Sequence, residues 1–201
     1  MSIVPTNINY NSTILRQNLN SLVRTFPFLN VQSVGLSVLK KNIYVIKLGK
    51  GTKKVFYSAS IHANEWITSV VLMKFVEDYA NAYVQNGKLY NYSVRDLFNN
   101  VSIFIMPMVN PDGVDLVTGN ILPSSSAYNQ AKSIANNYPD IPFPSGWKAN
   151  IRGVDFKNYQ PICKALQLFT CTILRTFIFI LFYQFFTTII NSTYFQTIIF
   201  S

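Results

Sequence analysis

The chain has 201 residues, 49% of them hydrophobic and only 12% charged, which excludes a disordered polar segment, a collagen-like fibre and a coiled coil. Its length fits one ordinary domain, with or without an appendage, and its two cysteines, Cys163 and Cys171, exclude a disulfide scaffold and a cysteine-rich metal site. The net charge of +9 is scattered, with eight Lys or Arg before the first acid at Glu65. No basic motif or aromatic ribonucleoprotein pattern accompanies it, so nucleic acid is not an expected partner.

The first ten residues, MSIVPTNINY, lack a basic start followed by an apolar run. No signal peptide is expected, and the cytoplasm is the expected location. Ser12 to Thr25 has the period of a helix, with Leu15, Leu19, Leu22 and Val23 on one face, Ser12 as the cap and Pro27 beyond the end. Val31 to Leu36, Asn42 to Leu48 and Val55 to Ile61 read as strands, the last two separated by a Gly- and Lys-rich turn. Trp66 to Gln85 reads as a long helix with Val70, Met73, Val76, Tyr79, Ala80 and Tyr83 at helical spacing, and Gly87 as its C-terminal cap. Val101 to Met108 is apolar throughout, as in a strand buried on both faces. Asn110 to Gly153 reads as a long irregular region.

From Lys157 onward the composition changes. This stretch has no Gly, Asp, Glu, Trp, Met or Val, and holds eight of the sixteen Phe. Its most apolar run, Thr176 to Ile190, is shorter than the roughly 20 residues a membrane-spanning helix needs. Two readings stand: a membrane anchor, or an A/T-rich reading frame translated out of register. Either way, one or two apolar helices are expected here.

The chemistry points to His62, the only histidine. Glu65 follows three residues later in SIHANEW, on a turn between a strand and a helix. A ring nitrogen and a carboxylate held on such a turn can share one divalent ion, and zinc accepts both donors. The spacing alone is equally that of a structural histidine.

The surrounding segments sharpen the choice. VFYSASIHANEWITSVVLMKFVEDYA, FIMPMVNPDGVDLV and GWKANIRGVD occur in this order. Together they resemble the zinc carboxypeptidases (the M14 metallopeptidases), closest to the bacterial γ-D-glutamyl-diamino acid peptidases that cut peptidoglycan stem peptides. The resemblance runs from about Tyr10 to Asp155 and implies an α/β fold with a mixed central sheet flanked by helices. Residues 1–156 are then the N-terminal part of such a domain and 157–201 an apolar tail.

The resemblance also implies roles. His62 and Glu65 match two of three protein ligands to a catalytic zinc. Asp155 matches the acid that receives the other ring N–H of the first ligand. Lys148 falls where many relatives carry an Arg that steadies the oxyanion, and Arg152 is the fallback cation. Asn110-Pro111-Asp112-Gly113 reads as a β-turn at the strand end beneath the site, with Asp112 structural. The implied substrate is a peptide, most specifically a peptidoglycan stem peptide.

Departures are as informative. After Asp155 the run is Phe156-Lys157-Asn158-Tyr159, without the Asn-Arg pair that grips a substrate carboxylate in relatives. No histidine follows Glu65, and the only other glutamate is Glu77. The third zinc ligand and the general base are therefore expected to be missing. The reading is a truncated or frame-disrupted peptidase, inactive by itself. The alternatives are a non-catalytic fragment or a membrane-anchored binding protein, with membrane association through the tail. Composition does not set the oligomeric state.

Overall fold

A computed structural model describes residues 2–155. The expectations for the apolar tail fall outside the described residues. Among the described residues no helix is long and apolar enough to cross a membrane.

The elements in chain order are α1 (Ser12–Thr25), β1 (Asn30–Leu36), β2 (Asn42–Leu48), β3 (Lys53–Ser58), a 3₁₀ turn (Ala63–Glu65) and α2 (Ile67–Val84). Next come β4 (Lys88–Leu89), β5 (Tyr92–Ser93), α3 (Val94–Asn100), β6 (Val101–Met106), α4 (Pro111–Val117) and α5 (Ser126–Ala135). The larger sheet has the order β1-β2-β6-β3 and is mixed, as expected. β2 runs antiparallel to β6, with Ile46 opposite Ile105 and Leu48 opposite Ile103. β3 runs parallel to β6, with Val55 opposite Ile103 and Tyr57 opposite Ile105. A parallel pair needs a long crossover, and α2 is its longest element.

The apolar run at 101–106 lies inside the sheet, and Val101, Ile103 and Ile105 are buried. α2 places Val70, Met73, Val76, Tyr79 and Ala80 in the core, while Tyr83 is half-buried. A second cluster joins Ala63, Leu116, Ile121, Ala131, Trp147 and Ile151. It packs the 3₁₀ turn, α4, α5 and the segment around residue 150 against one another.

Several local expectations need correction. The cap of α1 is Asn11, whose side chain accepts from the Ile14 N–H; Ser12 lies inside the helix. Ser12 instead gives its N–H and hydroxyl to Asp115. Val23 is exposed, one position off the buried Leu15–Leu19–Leu22 stripe. β3 begins two residues earlier than expected and ends at Ser58, because residues 59–61 turn away into the site. α2 ends in a left-handed residue, but that residue is Asn86 (φ 53°), not Gly87. Gly87 N–H bonds Ala82 O and Asn86 N–H bonds Tyr83 O, the paired bonds of a Schellman ending.

The region 110–153 is not irregular throughout. Asn110 caps α4, and Pro111 occupies the first turn, where its missing N–H is not needed. A sequence reader sees Asn-Pro-Asp-Gly as a turn because turns and helix starts draw on the same residues. α5 turns Ala127, Tyr128, Ala131, Ile134 and Ala135 toward the second cluster, but the stripe is short and mostly alanine, and only Ala131 is fully buried.

Candidate metal centre

The site is built where β3 leaves the sheet. Ala59 N–H bonds Met106 O at 3.0 Å, and Val109 N–H and Asn110 N–H bond Ala59 O and Ser60 O. The two chain exits thus stay paired beyond the strands. Ser60 then takes a left-handed backbone (φ 49°) while 1% exposed, a conformation a non-glycine residue holds only when its surroundings enforce it. Its N–H bonds the Thr68 hydroxyl at 2.9 Å, and its own hydroxyl meets Ser69 Oγ at 2.6 Å. The Thr68 hydroxyl donates to Glu65 O at 2.7 Å. These bonds fold the chain back so that the 3₁₀ turn leads straight into α2.

The turn decides what the H-x-x-E spacing means. His62 caps it with an extended backbone (φ −85°, ψ 139°), and its carbonyl accepts from Glu65 N–H at 3.2 Å. The two side chains meet beside this bond, with His62 Nδ1 2.8 Å from Glu65 Oε1. The ring's other nitrogen, Nε2, lies 3.5 Å from Asp155 Oδ1. His62 is mostly covered, with 13% of its side chain exposed, whereas Glu65 is half exposed and free to adjust. The structure thus brings His62, Glu65 and Asp155 together, one carboxylate at each ring nitrogen.

Does this donor set suit zinc? An imidazole nitrogen and a carboxylate oxygen are both ordinary zinc donors. Two donors on one tetrahedral zinc stand about 3.4 Å apart, so the 2.8 Å pair needs an opening of about 0.6 Å. The exposed Glu65 side chain can supply that movement. The carboxylate at Nε2 would leave Nδ1 as the ligating nitrogen, the arrangement that a ring-orienting acid produces. Among the described residues, however, no group of three or more His, Cys, Asp or Glu gathers into a full metal cage. The residues fit two corners of a zinc site.

Asp155 is placed by a tight turn. Asn150 Oδ1 accepts from the N–H groups of Arg152 and Val154, and Asn150 N–H bonds Val154 O. Gly153 supplies the positive φ (78°) that this turn requires. The segment is held to the 3₁₀ turn by the bond from Ala63 N–H to Lys148 O, at 2.9 Å. The side chains of Lys148 and Arg152 are exposed, and neither makes a hydrogen bond or ion pair among the described residues. It is the Lys148 carbonyl that bonds the 3₁₀ turn.

The buried carboxylates are committed elsewhere. Glu77 is 2% exposed. It accepts from Ser2 Oγ, Ile3 N–H and Val4 N–H, and pairs with Lys74. Burial alone would raise its pKa, but the bonds from Ile3, Ser2 and Lys74 win and hold it below the usual carboxylate value. Asp112 accepts from Ser37 Oγ and Leu39 N–H, and Asp115 from Ser12, Asn120 and Lys41. Asp112 is thus structural, as its place in the turn-like motif led us to expect. These acids tie α4 to α1 and to the β1–β2 hairpin.

Sequence reasoning missed Asn110. Its amide Oδ1 accepts from Gly113 N–H at 3.1 Å. Its Nδ2 faces the carbonyls of Ile61, Lys148 and Ala149 at 3.4, 3.4 and 3.0 Å. Asn followed by Pro at a helix start was the available signal.

The family described as zinc carboxypeptidase matches residues 15–162. The chain is 39% identical over 153 residues to γ-D-glutamyl-L-diamino acid endopeptidase 1 of Lysinibacillus sphaericus, covering 76% of this chain and 38% of that protein. It is 36% identical over 99 residues to carboxypeptidase B of Astacus astacus, covering 47% and 30%. The fold is similar to that of a metallo-carboxypeptidase from Burkholderia cenocepacia, with a TM-score of 0.53, 16% identity, and coverage of 81% of this chain and 39% of that one. The chain spans less than half the length of each of these relatives.

Proposed function

Since the chain belongs to the zinc carboxypeptidase family, we propose that His62 and Glu65 are zinc ligands of a peptide-hydrolysing site, with Asp155 orienting His62. The observation that carries this is the single convergence at His62: Glu65 Oε1 at 2.8 Å from Nδ1 and Asp155 Oδ1 at 3.5 Å from Nε2. Zinc bound there supplies Lewis acidity toward a peptide carbonyl and lowers the pKa of bound water to about 7. The protein residues do the rest. Glu65 adjusts to the ion, Asp155 holds the Nε2 proton, and Lys148 is the candidate cation for the oxyanion, with Arg152 as the fallback. A lysine offers the charge without the forked geometry of an arginine.

The similarity to the Lysinibacillus enzyme supports a γ-D-glutamyl-diamino acid bond of a peptidoglycan stem peptide as the substrate. By itself, this 201-residue chain does not complete the reaction in our reading. His62 is its only histidine, and its second glutamate, Glu77, is buried and bonded through both oxygens. No glutamate remains to take a proton from the attacking water, a loss that typically lowers rates by about 10²–10⁴.

The test is an assay of purified chain with saturating zinc on a γ-D-glutamyl-diaminopimelate peptide, beside His62→Ala. We expect no turnover from either. Zinc-dependent turnover that disappears in His62→Ala would overturn the inactivity and show that another residue serves as base.

A further inference from the structure

The geometry points to Asn110 as the positioning residue that sets the separation between the metal-ligand turn and the segment carrying Lys148 and Asp155. This rests on the reading of His62 and Glu65 as zinc ligands.

Asn110 sits at the exit of the central strand β6 and is 2% exposed. Its backbone N–H bonds Ser60 O, two residues before His62. As a helix cap it needs only an acceptor, which Ser, Thr or Asp would provide as well. Only Asn or Gln also carries an amide N–H₂, and here that group does separate work. It faces Ile61 O, adjacent to His62, and the carbonyls of Lys148 and Ala149 on the other side. One side chain therefore ties the first ligand's turn, the 148–155 segment and α4 at a single point.

Asp155 is reached from that point through the Asn150 turn, whose bonds are internal to residues 150–154. The placement of Asp155 against His62 Nε2 thus depends on where residues 148–149 are anchored. Beside the packing of Trp147 and Ile151 in the second cluster, two hydrogen-bonded anchors are present among the described residues: Ala63 N–H on Lys148 O, and the Asn110 amide. A carboxylate in place of the amide would keep the cap and set an oxygen against three carbonyl oxygens. The 148–155 segment would be pushed from the turn, and Asp155 would leave the ring. An outer-shell partner of a metal-bound histidine typically contributes 10–100-fold to metal affinity, so a loss of about tenfold is expected.

The experiment uses the full chain and zinc alone. Zinc affinity is measured by calorimetry for the wild type, Asn110→Asp, Asn110→Ser, His62→Ala and Asn11→Ala. Asn110→Ser keeps the cap acceptor without charge and without the amide donors. Asn11→Ala removes the cap of α1 and controls for ordinary destabilisation. Because His62 is the only histidine, its ring ¹⁵N signals are unambiguous. Wild-type chain should show zinc shifting one ring nitrogen selectively. Both Asn110 variants should bind about tenfold more weakly and lose that selectivity, while Asn11→Ala matches the wild type. Wild-type affinity and selectivity in folded Asn110 variants would overturn the inference. So would failure of both Asn110 variants to fold when Asn11→Ala folds, because the residue would then be a determinant of the fold. Zinc binding that His62→Ala leaves unchanged would instead overturn the zinc reading, a separate failure.

Discussion

Replacing Gly113 by alanine sets two effects of opposite sign against each other. Gly113 lies within α4, where alanine is favoured over glycine by about 0.8–1.0 kcal/mol. Propensity alone therefore predicts a more stable protein. The packing predicts otherwise. A Cβ there would lie 2.6 Å from Asn110 Nδ2, 2.7 Å from Ala149 O and 2.7 Å from Ala63 Cβ. Normal carbon contacts stand at about 3.5–4.0 Å, so the neighbours would have to yield by about 1 Å. Two of them are a backbone carbonyl and a Cβ, which no rotamer change can move. Overpacking of this kind costs about 1–3 kcal/mol, and displacing the buried Asn110 amide from its acceptors adds about 1–3 kcal/mol. Subtracting the propensity gain leaves a net loss of about 3 kcal/mol. Urea denaturation followed by tryptophan fluorescence measures it, since Trp147 is buried in the neighbouring cluster. Gly35→Ala is the reference: nothing lies within 4 Å of a Cβ there, and a change within about 0.5 kcal/mol is expected. If Gly113→Ala matched or exceeded the wild type in stability, the close packing of α4 on the 3₁₀ turn would be refuted.

Glu77→Gln should lower stability by about 1–3 kcal/mol at neutral pH, because hydrogen bonds to a charged group are lost. The folded pKa of Glu77 lies below its ordinary value of 4.5, so its contribution is present above that value and lost as pH falls through the folded pKa. The gap between wild type and variant should therefore close on acidification in paired denaturation curves; a gap that widened would contradict the bonding assigned to Glu77. Asp115→Asn should cost about 3–5 kcal/mol, because a fully buried carboxylate holding Lys41 Nζ at 2.7 Å and the Ser12 N–H and hydroxyl would be replaced by an amide. Adding Lys41→Met should cost less in the Asp115→Asn background than alone, and strict additivity in the double-mutant cycle would argue against the pair.

Much of the framework was legible in the chain because hydrophobic period marks it. The Leu15–Leu19–Leu22 stripe, the core side of α2 and the apolar run of β6 all bury what their spacing says they should. What escaped notice is short or only weakly apolar. α5 buries little, α3 and the β4–β5 hairpin are short, and α4 is written in residues that also make turns. The site divides the same way. His62, Glu65 and Asp155 were legible from ligand chemistry and from the motifs around them, and the structure gathers them. The Lys148 and Arg152 side chains remain exposed, and what the structure adds for Lys148 is its carbonyl, which holds Ala63. Asn110 was invisible because its role lies in contacts 38 to 49 residues away in sequence, which no local pattern encodes.

The most direct test of the account is zinc titration of purified chain labelled with ¹⁵N at histidine. With His62 the sole histidine, the spectrum contains the ring of interest and no other. We expect zinc to shift the Nδ1 signal selectively, with Nε2 remaining protonated against Asp155, and Glu65→Ala to weaken the response sharply. Zinc that left the His62 ring unchanged, or that bound equally well in His62→Ala, would contradict the assignment of His62 and Glu65 as the metal ligands.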